Sequence, residues 1–212
     1  MGATRVVHVV GTGTLGGPVM SLLLHLQHEL EVDEITFHKN RPLLNDRTKI
    51  LSLMRRGAKL AVEAEKMADF EKLGMLPTYT RQSALEQATV VIDCTAEGLR
   101  LQHKRVWYEH MPAARGFIAQ GREFGLGKMY AHGINDAVLV PNEDRFLQVV
   151  SCNTHNLAVL IETLALQANK YVALTEKTMA STVFSFGRDH GYFGRLLNQT
   201  VVSMPMHDAL PV

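Results

Sequence analysis

The feature that most constrains the fold is a short β-branched run, RVVHVV at residues 5–10, that stops at the glycine turn GTGTLG. A helical pattern follows, with Pro18 in its first turn. Strand, glycine turn and helix in this order predict a Rossmann dinucleotide-binding unit. Gly11 permits the tight turn, Gly13 lets the backbone approach a pyrophosphate, and Gly16 lets the helix pack closely on the strand. The predicted cofactor contacts in this turn are Gly11, Thr12, Gly13, Thr14, Leu15 and Gly16.

The second predicted strand, 34–38, carries the next cofactor signal at its end. An NAD site usually has an acidic residue there, about 20 residues past the glycines, for the ribose hydroxyls. Here the strand is followed by Lys39, Asn40 and Arg41 instead. Cations attract an adenosine 2′-phosphate that a carboxylate would repel. The sequence therefore favours NADP, with NAD also accepted. The alternative is a basic turn that is merely solvated, because it would show the same sequence.

A third polar turn follows the buried strand 89–93 in the segment DCTAEG. In doubly wound sheets, ligands bind outside the carboxyl ends of the strands. Thr95 is therefore a candidate for contacting the ribose or nicotinamide, whereas Cys94 is interpreted as a structural thiol. The turn after the next predicted strand, 116–119, contains Gly121, which is a further candidate cofactor contact.

The candidate nucleophile is Cys152, in the segment VVSCNT, just before a helical pattern predicted over 157–166. A helix N-terminus favours the anionic, reactive form of a thiol. The alternative for an isolated SCNT is a small, half-buried cysteine beside an Asn/Thr cap. The sequence before Cys152 has the pattern of a dinucleotide-binding domain. This context favours the interpretation of Cys152 as a nucleophile.

Composition excludes several other classes of protein. The chain has 212 residues, 46% of them hydrophobic and 20% charged, which is typical of a soluble globular protein. Its 22 basic and 21 acidic side chains create no global field for nucleic acid or a membrane surface. No apolar run approaches the ~20 residues of a spanning helix. Two cysteines without a CxxC pair indicate a reduced, cytoplasmic protein, and no ligand spacing predicts a metal site.

The whole pattern predicts an α/β protein with a doubly wound parallel sheet. We expect a Rossmann domain at 1–150 and the start of a catalytic domain, incomplete here, at 151–212. Helices are also expected within 43–73, at 83–88 and at 99–111, and strands at 60–62, 146–150 and 199–203.

The glycine turn, KNRP at 39–42, DCTAEG at 93–98, the QG turn and VVSCNT at 149–154 occur in one order. In this order the chain resembles the archaeal-type, or type II, glyceraldehyde-3-phosphate dehydrogenases. The resemblance implies a Rossmann domain, an α+β catalytic domain built on a mixed sheet, and a homotetramer. It implies phosphorylating oxidation of an aldehyde with NADP or NAD, with Cys152 as nucleophile. Ser151, Asn153 and Thr154 would then contact the phosphorylated aldehyde or inorganic phosphate.

The chain departs from the family pattern after SCNT. The family continues with Thr-Gly and soon an Arg, whereas here His155 and Asn156 follow and no Arg occurs through Leu166. Family members are longer, and their catalytic histidine would come after Val212. His155, about one helical turn past the nucleophile, is the candidate substitute base. Two alternatives stay open: a non-catalytic NADP-binding paralogue, and a dehydrogenase of another phosphorylated or acidic aldehyde, as in aspartate-semialdehyde dehydrogenases.

Overall fold

The structure is a computed structural model that describes residues 4–121 and 123–163. The chain forms two compact units, Met1–Ala119 and Gln120–Val212. The predicted domain boundary at residue 150 stays a prediction. So do the helical residues 164–166 and the strand at 199–203, which lie outside the described residues. No helix in the described part of the chain is long and apolar enough to cross a membrane.

The first unit confirms the predicted parallel α/β sheet. Six strands lie in the order β4-β3-β2-β1-β5-β6, and every neighbouring pair is parallel. The strands are β1 Val6–Val10, β2 Glu34–His38, β3 Lys59–Val62, β4 Tyr79–Thr80, β5 Val90–Asp93 and β6 Gly116–Gln120. The helices are α1 Gly16–Leu26, α2 Arg47–Arg55, α3 Met67–Lys72, α4 Arg81–Gln87 and α5 Leu99–Val106. Short 3-10 helices occupy Leu44–Asp46, Ala64–Lys66 and Tyr108–His110.

The two faces of this sheet differ in chemistry because successive side chains of a strand point to opposite faces. Val7 and Val9 of β1 pack with Phe37 in an apolar core that also holds Met20 of α1 and Phe70 of α3. The opposite face carries a polar layer, which we define as the buried residues His8, Thr36, His38, Asp93 and Tyr108 together with the half-buried His103. The hydrophobic strand pattern predicted the first face and gave no sign of the second.

The second unit contributes β7 Lys128–Tyr130, β8 Phe146–Val149 and α6 Cys152–Ile161 within its described part, with a 3-10 helix at Asp136–Val138. Strands β7 and β8 pair in parallel. The predicted start of the last helix at Leu157 is wrong, because α6 begins five residues earlier, at Cys152. Ser151 causes this early start, since its hydroxyl accepts the backbone N–H of Thr154 and caps the helix.

Two further sequence predictions need correction. The helix predicted over 99–111 ends at Val106 and is followed by the separate 3-10 helix. The short strands β4 and β7 were not predicted, because two or three residues are too few to show a period of two.

Candidate functional site

The glycine turn has the shape that its sequence predicts. Gly11 adopts a φ of +90°, a left-handed conformation that L side chains rarely adopt. A Cβ atom at Gly16 would lie 1.9 Å from the Gly11 carbonyl oxygen, so only glycine fits there. A Cβ atom at Gly13 would meet nothing within 4 Å, and both Gly13 and Thr14 are exposed. The turn is therefore closely packed at Gly16 and open at Gly13, where a ligand can approach the backbone.

The helix that follows the turn begins without a side-chain cap. Leu15 occupies the N-cap position of α1 and makes no side-chain capping bond, and the first turn of the helix contains no acidic residue. The Gly17 N–H donates to the Gly13 carbonyl oxygen at 3.1 Å and Pro18 has no N–H, so an anion would be bound mainly by N–H groups of the turn itself, at the positive end of the helix dipole. These residues fit the pyrophosphate of a dinucleotide. Thr12 differs from its neighbours in being buried in the turn.

Lys49 of α2 is a basic residue of this site that the sequence did not reveal. Its ammonium group donates a hydrogen bond to the carbonyl oxygen of Thr12 at 2.5 Å and a longer one to that of Gly13 at 3.4 Å. The lysine thereby places a positive charge against the turn. It lies in an amphipathic, charged segment in which the sequence pattern makes it look like an ordinary solvated residue.

The end of β2 carries the three residues predicted to select NADP. The Lys39 ammonium pairs with the Asp46 carboxylate at 2.5 Å. Lys66, from the turn after β3, donates to the Asn40 carbonyl oxygen at 2.9 Å and to Asn40 Oδ1 at 2.6 Å. Arg41 is exposed. Three basic residues therefore lie at or next to this strand end, and one of them is already paired with an acid.

Asp93, the last residue of β5, organises the neighbouring turn. It accepts hydrogen bonds from Tyr108 Oη at 2.7 Å, from the Thr95 N–H at 2.9 Å and from Thr95 Oγ1 at 2.6 Å, and it lies 2.7 Å from His103 Nδ1. Burial alone would raise the pKa of Asp93, but these bonds outweigh it and lower the pKa. Because the Thr95 hydroxyl donates to Asp93, it can only accept from a ligand.

Thr95 and the glycine turn lie together. The Thr95 methyl group would be 3.4 Å from a Cβ atom at Gly11, so the two predicted cofactor contacts adjoin. Cys94 lies between them, and burial raises the pKa of its thiol to about 12. Cys94 stays a neutral thiol at physiological pH, in keeping with the structural role expected for it.

Two buried imidazoles belong to the polar layer beside this turn. His8 Nδ1 lies 2.6 Å from Thr36 Oγ1, and burial lowers the pKa of His8 to about 3. Burial also lowers the pKa of His38 to about 4. His38 Nε2 lies 3.6 Å from Glu63 Oε1, but a neutral imidazole forms no ion pair there. Both rings are uncharged at neutral pH.

The second candidate site begins at Gly121, which has a φ of +138°. Its N–H donates to the Val149 carbonyl oxygen at 2.9 Å, and Gln148 Nε2 donates to the Gly121 carbonyl oxygen at 3.1 Å. Gly121 therefore adjoins the carboxyl end of β8, immediately before the cysteine segment. The sequence did not predict the role of Gln148, which is buried although it is polar.

Cys152 is the first residue of α6 and is exposed. Its Sγ lies 4.0 Å from Asn153 Oδ1, and Asn153 is exposed too. Ser151 Oγ lies 2.8 Å from Thr154 Oγ1, so both hydroxyls are held within the cap. The structure thus brings together the four residues Ser151 to Thr154 at one helix end, with the thiol accessible.

The candidate base His155 points to a neighbouring loop. Its Nε2 lies 3.0 Å from the His132 carbonyl oxygen. Because a carbonyl oxygen only accepts, Nε2 carries the proton and Nδ1 remains an acceptor. Within residues 4–121 and 123–163, no hydrogen bond joins His155 to Cys152, and no group of His, Cys, Asp and Glu could hold a metal ion.

Curated proteins similar to this chain carry the name glyceraldehyde-3-phosphate dehydrogenase. The protein from Methanobacterium formicicum is 27% identical over 152 residues, covering 71% of this chain and 42% of the relative. The protein from Methanobacterium bryantii is 35% identical over 97 residues, covering 44% and 27%. The protein from Metallosphaera sedula is 27% identical over 161 residues, covering 74% and 44%.

The chain thus spans less than half the length of the curated relatives it matches. No protein-family model matches it. The partial similarities support a relationship to the glyceraldehyde-3-phosphate dehydrogenases.

Proposed function

We propose that this protein is an NADP- or NAD-dependent oxidoreductase of the archaeal glyceraldehyde-3-phosphate dehydrogenase type, which oxidises a phosphorylated aldehyde in the presence of inorganic phosphate. The observation that carries the proposal is the glycine turn. It requires glycine at Gly16, leaves Gly13 open, and leads into a helix N-terminus without a side-chain cap. The exposed Cys152 at a second helix N-terminus supplies the nucleophile.

The cofactor would be held by backbone and basic groups. Backbone N–H groups of the glycine turn bind the pyrophosphate, while Lys39, Asn40 and Arg41 bind the adenosine 2′-phosphate. By family resemblance, Thr95 and Gly121 are further candidate contacts that would bind the cofactor. When bound, the nicotinamide ring supplies the hydride acceptor for the reaction.

Cys152 carries the covalent chemistry. The thiolate Sγ adds to the aldehyde carbon, and the hydrogen on that carbon leaves as hydride, so the acyl group remains on Sγ as a thioester. An oxygen of inorganic phosphate then attacks the acyl carbon, the C–S bond breaks, and the product leaves as an acyl phosphate while the thiolate is restored. Ser151, Asn153 and Thr154 hold the substrate beside Sγ.

His155 is the proposed base for this cycle. With its Nε2 proton directed at the His132 carbonyl oxygen, its Nδ1 can accept a proton. A base of this kind would take the thiol proton before addition. The family resemblance also leads us to propose a homotetrameric assembly, and the two cysteines without a CxxC pair lead us to propose a cytoplasmic location.

The first test is NADPH formation from glyceraldehyde-3-phosphate, NADP and inorganic phosphate. We expect turnover in the wild type and a loss of at least ~1,000-fold in Cys152→Ala, because the covalent step requires the thiol. NADP affinity, measured by calorimetry, should stay within about twofold in the same variant, because the phosphates bind elsewhere in the chain.

Leu160→Ala is the matched control, since it alters an exposed residue of the same helix that has no proposed role in the site, and it should retain turnover. Turnover that persists in Cys152→Ala would contradict the assigned nucleophile. NADP binding without turnover in the wild type would support the non-catalytic alternative instead.

A further inference from the structure

We propose that Lys66 is a further residue that determines cofactor specificity, and that it binds the 2′-phosphate of NADP together with Lys39, Asn40 and Arg41. The inference rests on the proposed function and names a contact that the sequence pattern KNRP does not contain. Lys66 lies 27 residues beyond Lys39 in the chain, at the end of the 3-10 helix Ala64–Lys66.

The sheet brings Lys66 to the predicted phosphate site. Strand β3 pairs in parallel with β2, with Ala61 opposite His38, and the Lys39 N–H donates to the Ala61 carbonyl oxygen at 3.1 Å. Carboxyl ends of parallel strands meet at one edge of a sheet, which is where ligands bind. The turn after β3 therefore returns Lys66 to the residues that follow β2.

The Lys66 ammonium group already contacts the centre of this segment. It donates to the Asn40 carbonyl oxygen at 2.9 Å and to Asn40 Oδ1 at 2.6 Å. Both partners are neutral, so the charge of Lys66 is not compensated by them. An ammonium group has three donors, and two of these bonds leave one for a phosphate oxygen.

Lys39 differs from Lys66 in this respect. Its ammonium forms an ion pair with the Asp46 carboxylate at 2.5 Å, so a second anion must compete with an acid already in place. Among the described residues, no carboxylate contacts Lys66. Electrostatic attraction of the dianionic 2′-phosphate should therefore depend more on Lys66 than on Lys39.

The test compares NADP and NAD affinities by isothermal titration calorimetry in the full chain. We expect Lys66→Met to weaken NADP binding about 10- to 100-fold, the value of one charge-assisted hydrogen bond. NAD has no 2′-phosphate, so its affinity should change by less than about twofold. Lys66→Arg, which keeps the charge, should retain most of the preference for NADP.

Two further variants separate the site from general charge effects. Lys72→Met removes an exposed ammonium of α3 that pairs with Asp69, and it should change neither affinity. The double variant Lys39→Met/Asp46→Asn removes the ion pair without altering net charge, and it should weaken NADP binding less than Lys66→Met does. Thermal unfolding of each variant checks that the fold is retained.

The outcomes distinguish this inference from the proposed function. If the wild type binds NADP more tightly than NAD and Lys66→Met keeps that ratio, the role of Lys66 is wrong while cofactor binding stands. An equal loss of affinity for NADP and for NAD in Lys66→Met would also overturn the inference, because that result indicates a structural role. A wild type that binds neither cofactor would overturn the proposed function together with this inference.

Discussion

Two turns of this protein have the same plan and differ in how the helix after them is capped. The turn after β1 leads into α1, and the turn after β8 leads into α6. In the first, Leu15 at the N-cap offers no hydrogen bond, whereas in the second Ser151 accepts the Thr154 N–H. A side chain therefore satisfies one backbone N–H at the start of α6, whereas at the start of α1 only backbone carbonyls accept, as in the bond from the Gly17 N–H to the Gly13 carbonyl oxygen at 3.1 Å.

This difference corresponds to the chemistry proposed for each turn. The glycine turn can bind phosphate oxygens with its backbone N–H groups at the positive end of α1, which suits a cofactor held without covalent bonds. A capped N-terminus fixes the backbone under Cys152 and keeps the thiol on the first helical residue. The helix dipole also favours an anionic ligand at the N-terminus of α1.

The support around each turn differs as well. The glycine turn adjoins Thr95, which Asp93 and the polar layer hold in place. The cysteine turn adjoins Gly121, which is held by a backbone bond to Val149 and by the amide of Gln148. Ionisable groups therefore support the first turn, and an amide that does not titrate supports the second.

The largest expected effect is the loss of stability in acid of the unit that contains the glycine turn. His8 and His38 have pKa values of about 3 and about 4 in the folded state, against about 6.5 when unfolded. Between pH 6.5 and pH 4 the unfolded chain binds protons that the folded chain excludes, so stability falls as the pH falls. Each imidazole should lower the free energy of unfolding by about 2 kcal/mol at pH 5 relative to its value above pH 7.

Urea unfolding at pH 7.5 and pH 5 measures this loss. The lowered pKa of Asp93 keeps its carboxylate ionised across that window, so Asp93 does not contribute to the change. His8→Val removes one titrating ring and should reduce the difference between the two pH values by about half. Equal stability of the wild type at both values would contradict neutral, buried imidazoles.

A methyl group should disturb the glycine turn in a position-dependent way. Gly16→Ala would place a Cβ atom 1.9 Å from the Gly11 carbonyl oxygen, and relieving such a contact typically destabilises a protein by about 1 to 3 kcal/mol. Gly13→Ala is the matched control, because its Cβ atom meets nothing within 4 Å. It should leave the thermal midpoint unchanged and weaken NADP binding, since the methyl group lies where the backbone approaches the pyrophosphate.

Similar stabilities of the two alanine variants would contradict the close contact between Gly16 and Gly11. Unchanged NADP affinity in Gly13→Ala would show that the open side of the turn does not face the cofactor.

The sequence predicted those features that depend on local pattern. The hydrophobic run before GTGTLG, the strand 34–38 and the helix–strand–helix order within 43–73 were all confirmed. Contacts between residues distant in the chain had no such signal. Lys49 and Lys66 looked like solvated lysines, because only the fold brings them to Thr12 and Asn40.

The start of α6 shows a different reason for failure. The hydrophobic pattern begins at Leu157, but a serine cap and polar residues can form the first turn of a helix without an apolar face. Hydrophobic periodicity therefore placed the helix correctly and its beginning five residues too late. The side chains predicted to contact a cofactor or substrate are not tested by the fold, and they stay predictions.

The smallest expected effect concerns the cap itself. Ser151→Ala removes the acceptor of the Thr154 N–H and should lower the free energy of unfolding by about 1 kcal/mol. Asn153→Ala changes an exposed residue two positions further along the chain and should have less than half that effect. Because α1 has no such cap, Leu15→Ala should cause no comparable loss of capping energy. If Ser151→Ala proves as stable as the wild type, the side-chain cap does not distinguish the two helix ends, and the proposed division between a ligand-binding turn and a self-capped turn fails.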